Sequence, residues 1–374
     1  MFGVYVHAPW CRIHCPYCAF FVDTRAEVPH EEWLAGIRRD WARERPHFPG
    51  PPRTLAFGGG TPSRLLAAHV AALVAEVQPE GEVSLEANPE DIDAGTLAAW
   101  SRAGVDRLTI GVQSFVPAVA RRLGRAHTAR QAEAAVELAM ESGLRSVGID
   151  LIFGAEGQAL ADLEEDLDLA VALGVDHVSL YGLSIEEGTD YARRGRRPAD
   201  DDTWREMYDL GVARLHDAGL IRYEVSNFAR AGHRSAHNET YWRGGRWMGL
   251  GPSAHGWRPD NARVANPADW AAWASGAAPS VETPAPEALL RELLWSTLRH
   301  IDGVELATTR ALTGIEVRLP ATLRDAGLLR AAGGAILLER DGFPLADALA
   351  EALWAASTDA AAEPGAYSRL LAGS

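Results

Sequence analysis

Cys11, Cys15 and Cys18 are the only cysteines of the 374-residue chain, and all three stand in "YVHAPWCRIHCPYCAFF", residues 5–21. With His14 as a fourth ligand they make a Cys₃His zinc site, although structural zinc sites usually join two separated ligand pairs and no second pair exists here. A ferredoxin-type cluster takes four thiolates, one more than this loop offers. A C-x₃-C-x₂-C loop can instead hold three irons of a [4Fe–4S] cube and leave the fourth iron open to a chelating small molecule. Ligand count and spacing favour the cube over zinc.

Other residues with chemical potential follow at intervals. Gly58-Gly59-Gly60-Thr61-Pro62 lacks the Gly-Lys-Ser/Thr ending of a nucleotide P-loop, but its glycines let backbone groups approach a small charged ligand without a Cβ clash. Glu86 is placed to accept hydrogen bonds from ribose hydroxyls, with a solvated strand-end carboxylate as the plainer reading. Gln113, Arg125 and Asp150 follow; each is otherwise an ordinary surface or capping residue.

These residues need a frame. Six β-branched or aromatic runs recur, at 2–8, 53–59, 82–88, 107–113, 146–154 and 177–183, most followed by an Ala/Leu/Glu-rich helical stretch. "LAAHVAALVAEV" and "ARQAEAAVELAMESG" read as amphipathic helices, the second ending on Gly143. Repeated βα units imply parallel strands, in an open doubly wound sheet or a partial barrel, with function at the C-terminal strand ends. The cysteines, the glycine turn, Glu86 with Asn88, Gln113 with Ser114, Asp150 and Tyr181 each belong to the polar tail of one of the six runs. They read as one site assembled from six loops.

Past residue 190 the pattern changes. "RRGRRPADDDT" is a charged loop, and 219–256 is rich in Gly, His, Tyr and Trp without clean periodicity. The stretch 275–288 reads as a linker. After it, "LLRELLWSTLRH" and "PATLRDAGLLRA" look helical and "GGAILLERDGFPL" resembles a hairpin, a small winged-helix-like tail. The expected organisation is a barrel over 1–190, an extension over 191–275 and a C-terminal domain over 285–374. A net charge of −15 argues against a duplex-binding surface, and no stretch approaches the length of a membrane span. The N-terminus lacks a signal-peptide pattern and the cysteines do not form a secreted disulfide framework, so a reducing cytoplasm is expected.

The cysteine loop, with Tyr17 just before the last cysteine, resembles the radical S-adenosylmethionine (SAM) family, in which the amino and carboxylate groups of SAM fill the open iron. More narrowly, "YVHAPWCRIHCPYCAF", "FGGGTPS", "LEANPE", "LTIGVQSF", "GIDLIFG", "YGLSIEEGT", "YEVSNFAR", "HNETYW" and "GLGPSAH" occur in the order seen in HemW-type haem chaperones, relatives of the oxygen-independent coproporphyrinogen III dehydrogenase HemN. The resemblance covers about residues 2–260. It implies a partial (β/α)₆ TIM-like radical SAM barrel, a [4Fe–4S] cluster on Cys11, Cys15 and Cys18, SAM, and haem as cargo. It also implies haem-recipient proteins such as respiratory membrane enzymes, and an electron donor such as flavodoxin or ferredoxin. Tyr5, Gly59 and Glu86 match positions contacting cluster-bound SAM. Tyr17, Gly60, Thr61, Gln113, Arg125 and Asp150 match positions contacting a second SAM in the dehydrogenase.

Phe20 stands where the dehydrogenase has a further cysteine, and the chain starts on its first strand without the dehydrogenase's extension. Both features, with "HNETYW", imply the chaperone; a porphyrinogen dehydrogenase or HemN-like methyltransferase is the alternative. In "HNETYW", His237 is a natural axial ligand for haem iron, and Tyr241 and Trp242 offer flat apolar faces to a porphyrin. A hydrogen-bonded structural histidine is the competing reading, and His233 competes as ligand if the segment is helical. Arg193, Arg194, Arg196 and Arg197 can pair with propionates or form a solvated loop. Two departures stand near the site: "GAEGQ" at 154–158 for the family's "GLPGQ", and Ala19 for a common acidic residue.

Overall fold

In the computed structural model residues 1–358 are described. Six apolar runs become β1 (Phe2–Ala8), β2 (Pro52–Gly59), β3 (Val83–Ala87), β4 (Arg107–Gln113), β5 (Ser146–Phe153) and β6 (His177–Gly182). They lie side by side in chain order, all parallel. Parallel neighbours need crossovers, supplied by α1 (His30–Glu44), α2 (Ala67–Val77), α3 (Ala94–Arg102), α4 (Pro117–Arg122), α5 (Ala129–Glu141) and α6 (Leu160–Ala172). Strands covered by helices read as continuous apolar runs, and Val4, Val6, Leu55, Leu85, Leu108, Ile110, Ile149 and Leu151 are fully buried. Helix starts follow local chemistry: Asp93 and Thr128 each close a capping box, and Gly143 at φ +77° follows α5 as expected.

After β6 come α7 (Asp190–Arg193), α8 (Asp201–Asp217), β7 (Ile221–Arg222), β8 (Asn227–Ala229), α9 (Ala236–Trp242), β9 (Arg246–Leu250), β10 (His255–Trp257), β11 (Arg263–Ala265), α10 (Trp270–Ala274) and β12 (Ser280–Glu282). The region that showed no periodicity thus supplies the sheet's margins, in strands too short for a pattern to register. β9 joins β1 in parallel, β8 joins β6 antiparallel, and the twelve-stranded sheet runs β12-β11-β10-β9-β1-β2-β3-β4-β5-β6-β8-β7. It is a mixed sheet and not a closed barrel, as the partial (β/α)₆ expectation requires.

The chain divides into two compact units, the first made of 1–221, 226–237 and 246–281. The second takes 222–225, 238–245 and the chain from Glu282. Its elements are α11 (Pro286–Thr297), β13 (Val304–Glu305), α12 (Leu306–Thr313), α13 (Ala321–Asp325), β14 (Leu329–Ala332), β15 (Ala335–Leu338) and α14 (Ala346–Thr358). The antiparallel order β13-β15-β14 after a leading helix is winged-helix-like. Gly333 and Gly334, at φ +59° and +82°, make the hairpin turn. Two segments differ from the sequence expectation. "PATLRDAGLLRA" is helical only to Asp325, because Gly327 at φ +72° turns the chain into β14. The 275–288 linker contains β12, and Pro286 opens α11, where a missing N–H costs nothing.

Candidate functional site

The cysteine loop leaves the end of β1 and is pinned at its neck. Cys11 N–H donates to Asp23 O (3.0 Å) and Asp23 N–H to Pro9 O (2.7 Å). Within it, Cys18 N–H donates to Cys15 O (3.0 Å), and Arg64 donates to Cys11 O (2.9 Å). His7 braces the far side: its Nε2 lies 3.0 Å from Phe21 O and its Nδ1 3.0 Å from the Tyr5 hydroxyl. A carbonyl only accepts, and burial lowers the His7 pKa, so the ring is neutral with its proton on Nε2 and Nδ1 accepts from Tyr5.

Gly59 and Gly60 follow β2. A Cβ on Gly60 would lie 2.6 Å from the Pro9 carbonyl, and Gly59, at φ +109°, would put one 2.5 Å from the His7 ring. Only glycine lets this turn lie against the base of the cysteine loop. Gln113 takes φ +70° where the β4–β5 register shifts, a strained bulge that no sequence pattern announces.

The loop ends enclose one cavity of about 490 Å³. Its lining includes Cys11, Cys15 and Cys18, together with Tyr17, Gly59, Gly60, Thr61, Glu86, Gln113, Arg125 and Asp150. Tyr5 stands beside it, its ring edge 2.8 Å from where a Gly58 Cβ would be, with Glu86 at 3.1 Å on the same spot. Glu86 is exposed to the cavity, yet the protein packed around that cavity raises its carboxyl to about 8, helped by the charge of Asp150 and opposed by the Gly59 N–H, which donates to it at 3.3 Å. Burial also raises Asp150, to about 6, against Ser179 and Arg125. Two carboxyls that resist ionising suit a site awaiting hydroxyl donors and positive charge.

Three thiols, half-buried and unpaired in a disulfide, share this cavity with donors aimed at sulfur: Thr61 Oγ1 to Cys11 at 3.3 Å and Arg125 Nη1 to Cys15 at 3.5 Å. Such a set fits a thiolate-bound iron cube. Among the described residues no three His, Cys, Asp or Glu side chains converge on a single ion, as a Cys₃His zinc site requires. His14 Nε2 instead lies 3.0 Å from Cys18 O. Arg125 Nε is buried without a partner among the described residues, leaving a donor for a ligand.

The haem-handling expectation falls elsewhere. His237 does not line the cavity; it is buried near the opposite ends of the strands, its Nδ1 2.7 Å from Thr54 Oγ1 and its N–H donating to Glu82. Burial holds its pKa at about 4, and its ring stacks on Tyr5 at 6.4 Å. Glu82, also paired with Arg107 and Arg145, is the hub that fixes the start of α9. His233 lies before α9, its carbonyl accepting from Arg107, so it shares no helical face with His237. Tyr241 and Trp242 belong to the second unit, where Arg299 lies between Trp242 (5.0 Å) and Trp295 (4.1 Å). Arg193 and Arg194 pair with Asp190, and Arg196 pairs with Glu156, the glutamate of "GAEGQ". Sequence reasoning left Arg64 and His7 unremarked; they act on backbone carbonyls, which leave no residue signature.

The pattern of the Radical SAM superfamily matches residues 5–170. The chain is 38% identical over 371 residues to "Heme chaperone HemW" of Mycobacterium tuberculosis, covering 94% of each chain. It is 37% identical to the protein of that name from Escherichia coli, over 68% of this chain and 69% of the other. Among solved structures, coproporphyrinogen III oxidase (HemN) from Escherichia coli superposes with a TM-score of 0.79, over 94% of this chain and 89% of the other. At 20% identity that likeness concerns the fold.

Proposed function

Because the chain belongs to the HemW family of radical SAM proteins, we propose that it is a haem chaperone, which binds haem and delivers it to haem-requiring proteins such as respiratory membrane enzymes. The observation that carries this reading is the 38% identity running through 94% of both chains, the second unit included. On this reading Cys11, Cys15 and Cys18 hold a [4Fe–4S] cluster, and Tyr5, the Gly59-Gly60 turn and Glu86 hold SAM. Thr61, Tyr17, Gln113, Arg125 and Asp150 complete the cavity, and His237 serves the haem. When bound, the cluster supplies one-electron chemistry, with a flavodoxin- or ferredoxin-like donor providing the electron in a reducing cytoplasm. No helix among the described residues is long and apolar enough to cross a membrane.

The exposed Phe20 lines the cavity where the dehydrogenase carries a cysteine, which supports the chaperone over the enzyme. Haem added to anaerobically reconstituted protein is expected to give a shifted absorption band, weakened by His237→Ala. Decarboxylation of coproporphyrinogen III at a catalytic rate would overturn the reading in favour of the enzyme. The reconstituted chain is expected to carry about four irons and Cys15→Ala few or none, measured by elemental analysis.

A further inference from the structure

Each of the three cysteine sulfurs has a hydrogen-bond donor of a different kind. Cys18 is served by the backbone N–H of Phe20. Cys11 receives the Thr61 hydroxyl at 3.3 Å and Cys15 the Arg125 guanidinium at 3.5 Å. The last two are not independent. Arg125 Nη2 donates to Asn88 Oδ1 at 2.6 Å and to Gly111 O at 2.8 Å, which aims Nη1 at Cys15. With its oxygen so engaged, the Asn88 amide must present its NH₂ to the other side, where Nδ2 donates to Thr61 Oγ1 at 3.2 Å. Thr61 then has a lone pair engaged and its one hydrogen directed to Cys11. The direction of every bond is set from the arginine outward.

We propose that Arg125, Asn88 and Thr61 form a single relay onto the Cys11 and Cys15 sulfurs that sets the electron affinity of the cluster, with Asn88 as its positioning residue. The proposal rests on the cluster reading above and goes beyond it. A cluster that accepts one electron from its donor protein becomes more negative by one unit, and no bond or proton need change place. Hydrogen bonds to thiolate sulfur, and a guanidinium beside it, stabilise the more negative state. Partners behind metal ligands tune a centre in this way. None of the three side chains need touch SAM to exert the effect.

The test is an EPR-monitored redox titration of the reconstituted protein without SAM, with iron and sulfide counted on each sample. Thr61→Val keeps shape and removes the hydroxyl. Asn88→Asp keeps size, still accepts from Arg125, and competes with Cys11 for the Thr61 hydrogen. Arg125→Gln removes the charge. At the potential where the wild-type cluster is half reduced, the ratio of reduced to oxidised cluster is expected to fall about tenfold in each, and a tenfold change is 59 mV for a one-electron couple. Thr61→Ser is expected to keep the wild-type ratio. Fully loaded Thr61→Val and Asn88→Asp proteins that titrate as wild type overturn the relay while leaving the cluster reading intact. A wild-type chain that assembles no cluster overturns that reading and the relay with it. Should Arg125→Gln fail to load, the contrast of Thr61→Val with Thr61→Ser decides alone.

Discussion

Glu86 is a residue whose chemistry departs far from its type. Held at about 8, it is a neutral acid in the ligand-free protein at physiological pH. A carboxyl raised on folding contributes stability that is complete below its ordinary value of 4.5 and is lost as pH rises through about 8. Asp150, at about 6, and Asp166, at about 7, act in the same sense over lower windows. His237 acts in the opposite sense, its stabilisation fading as pH falls from 6.5 to about 4. Between pH 7.5 and 9 Glu86 acts together with the Cys11 and Cys18 thiols, which burial also raises. The melting temperature of cluster-free protein is expected to fall across that interval, and Glu86→Gln is expected to flatten the fall, read by calorimetry. At this scale the sequence is a partial guide. Residue types at strand ends pointed to Glu86 and Asp150, but not to their protonation, which depends on what covers them. The relay was equally hidden, since Thr61 is 27 and Arg125 37 positions from Asn88.

Elements were the most legible level, because period and composition act locally. The six strands stand within a residue or two of where apolar runs predicted them, and their polar tails meet in one cavity, except that Ser114 is buried against Asp166 instead. What escaped was made by pairing and not by pattern: the three- to five-residue strands β8 to β12, and the left-handed Gln113 at the β4 bulge. The β2 turn shows how an element constrains a neighbour. Gly60→Ala places a methyl against the Pro9 carbonyl, so the base of the cysteine loop must shift. Overpacking of this kind costs about 1–3 kcal/mol. The variant is expected to melt lower and to retain less iron after reconstitution. Gly143→Ala, at a left-handed position with open space around it, is expected to cost stability through backbone strain while leaving iron content unchanged.

Across the whole molecule the chain passes between the two units repeatedly, at 221, 225, 237, 245 and 281. The second unit is therefore discontinuous, and no single cut separates them. Truncation after Val281 would strip Asn238–Gly245 of its own unit's packing: Gly244 lies against Leu293 and Thr297, and Trp242 beneath Arg299. Residues 1–281 are expected to express with lower solubility and to unfold at a lower temperature than the full chain, measured by calorimetry. Retention of the full-length melting temperature would show the interleaving to be without energetic weight.

The carbonyl of Phe21 has a remote effect through His7. By dictating which nitrogen carries the imidazole hydrogen, it commits the Tyr5 phenol to giving its own hydrogen inward. One main-chain oxygen thus fixes the direction of a hydrogen bond between two side chains of the first strand.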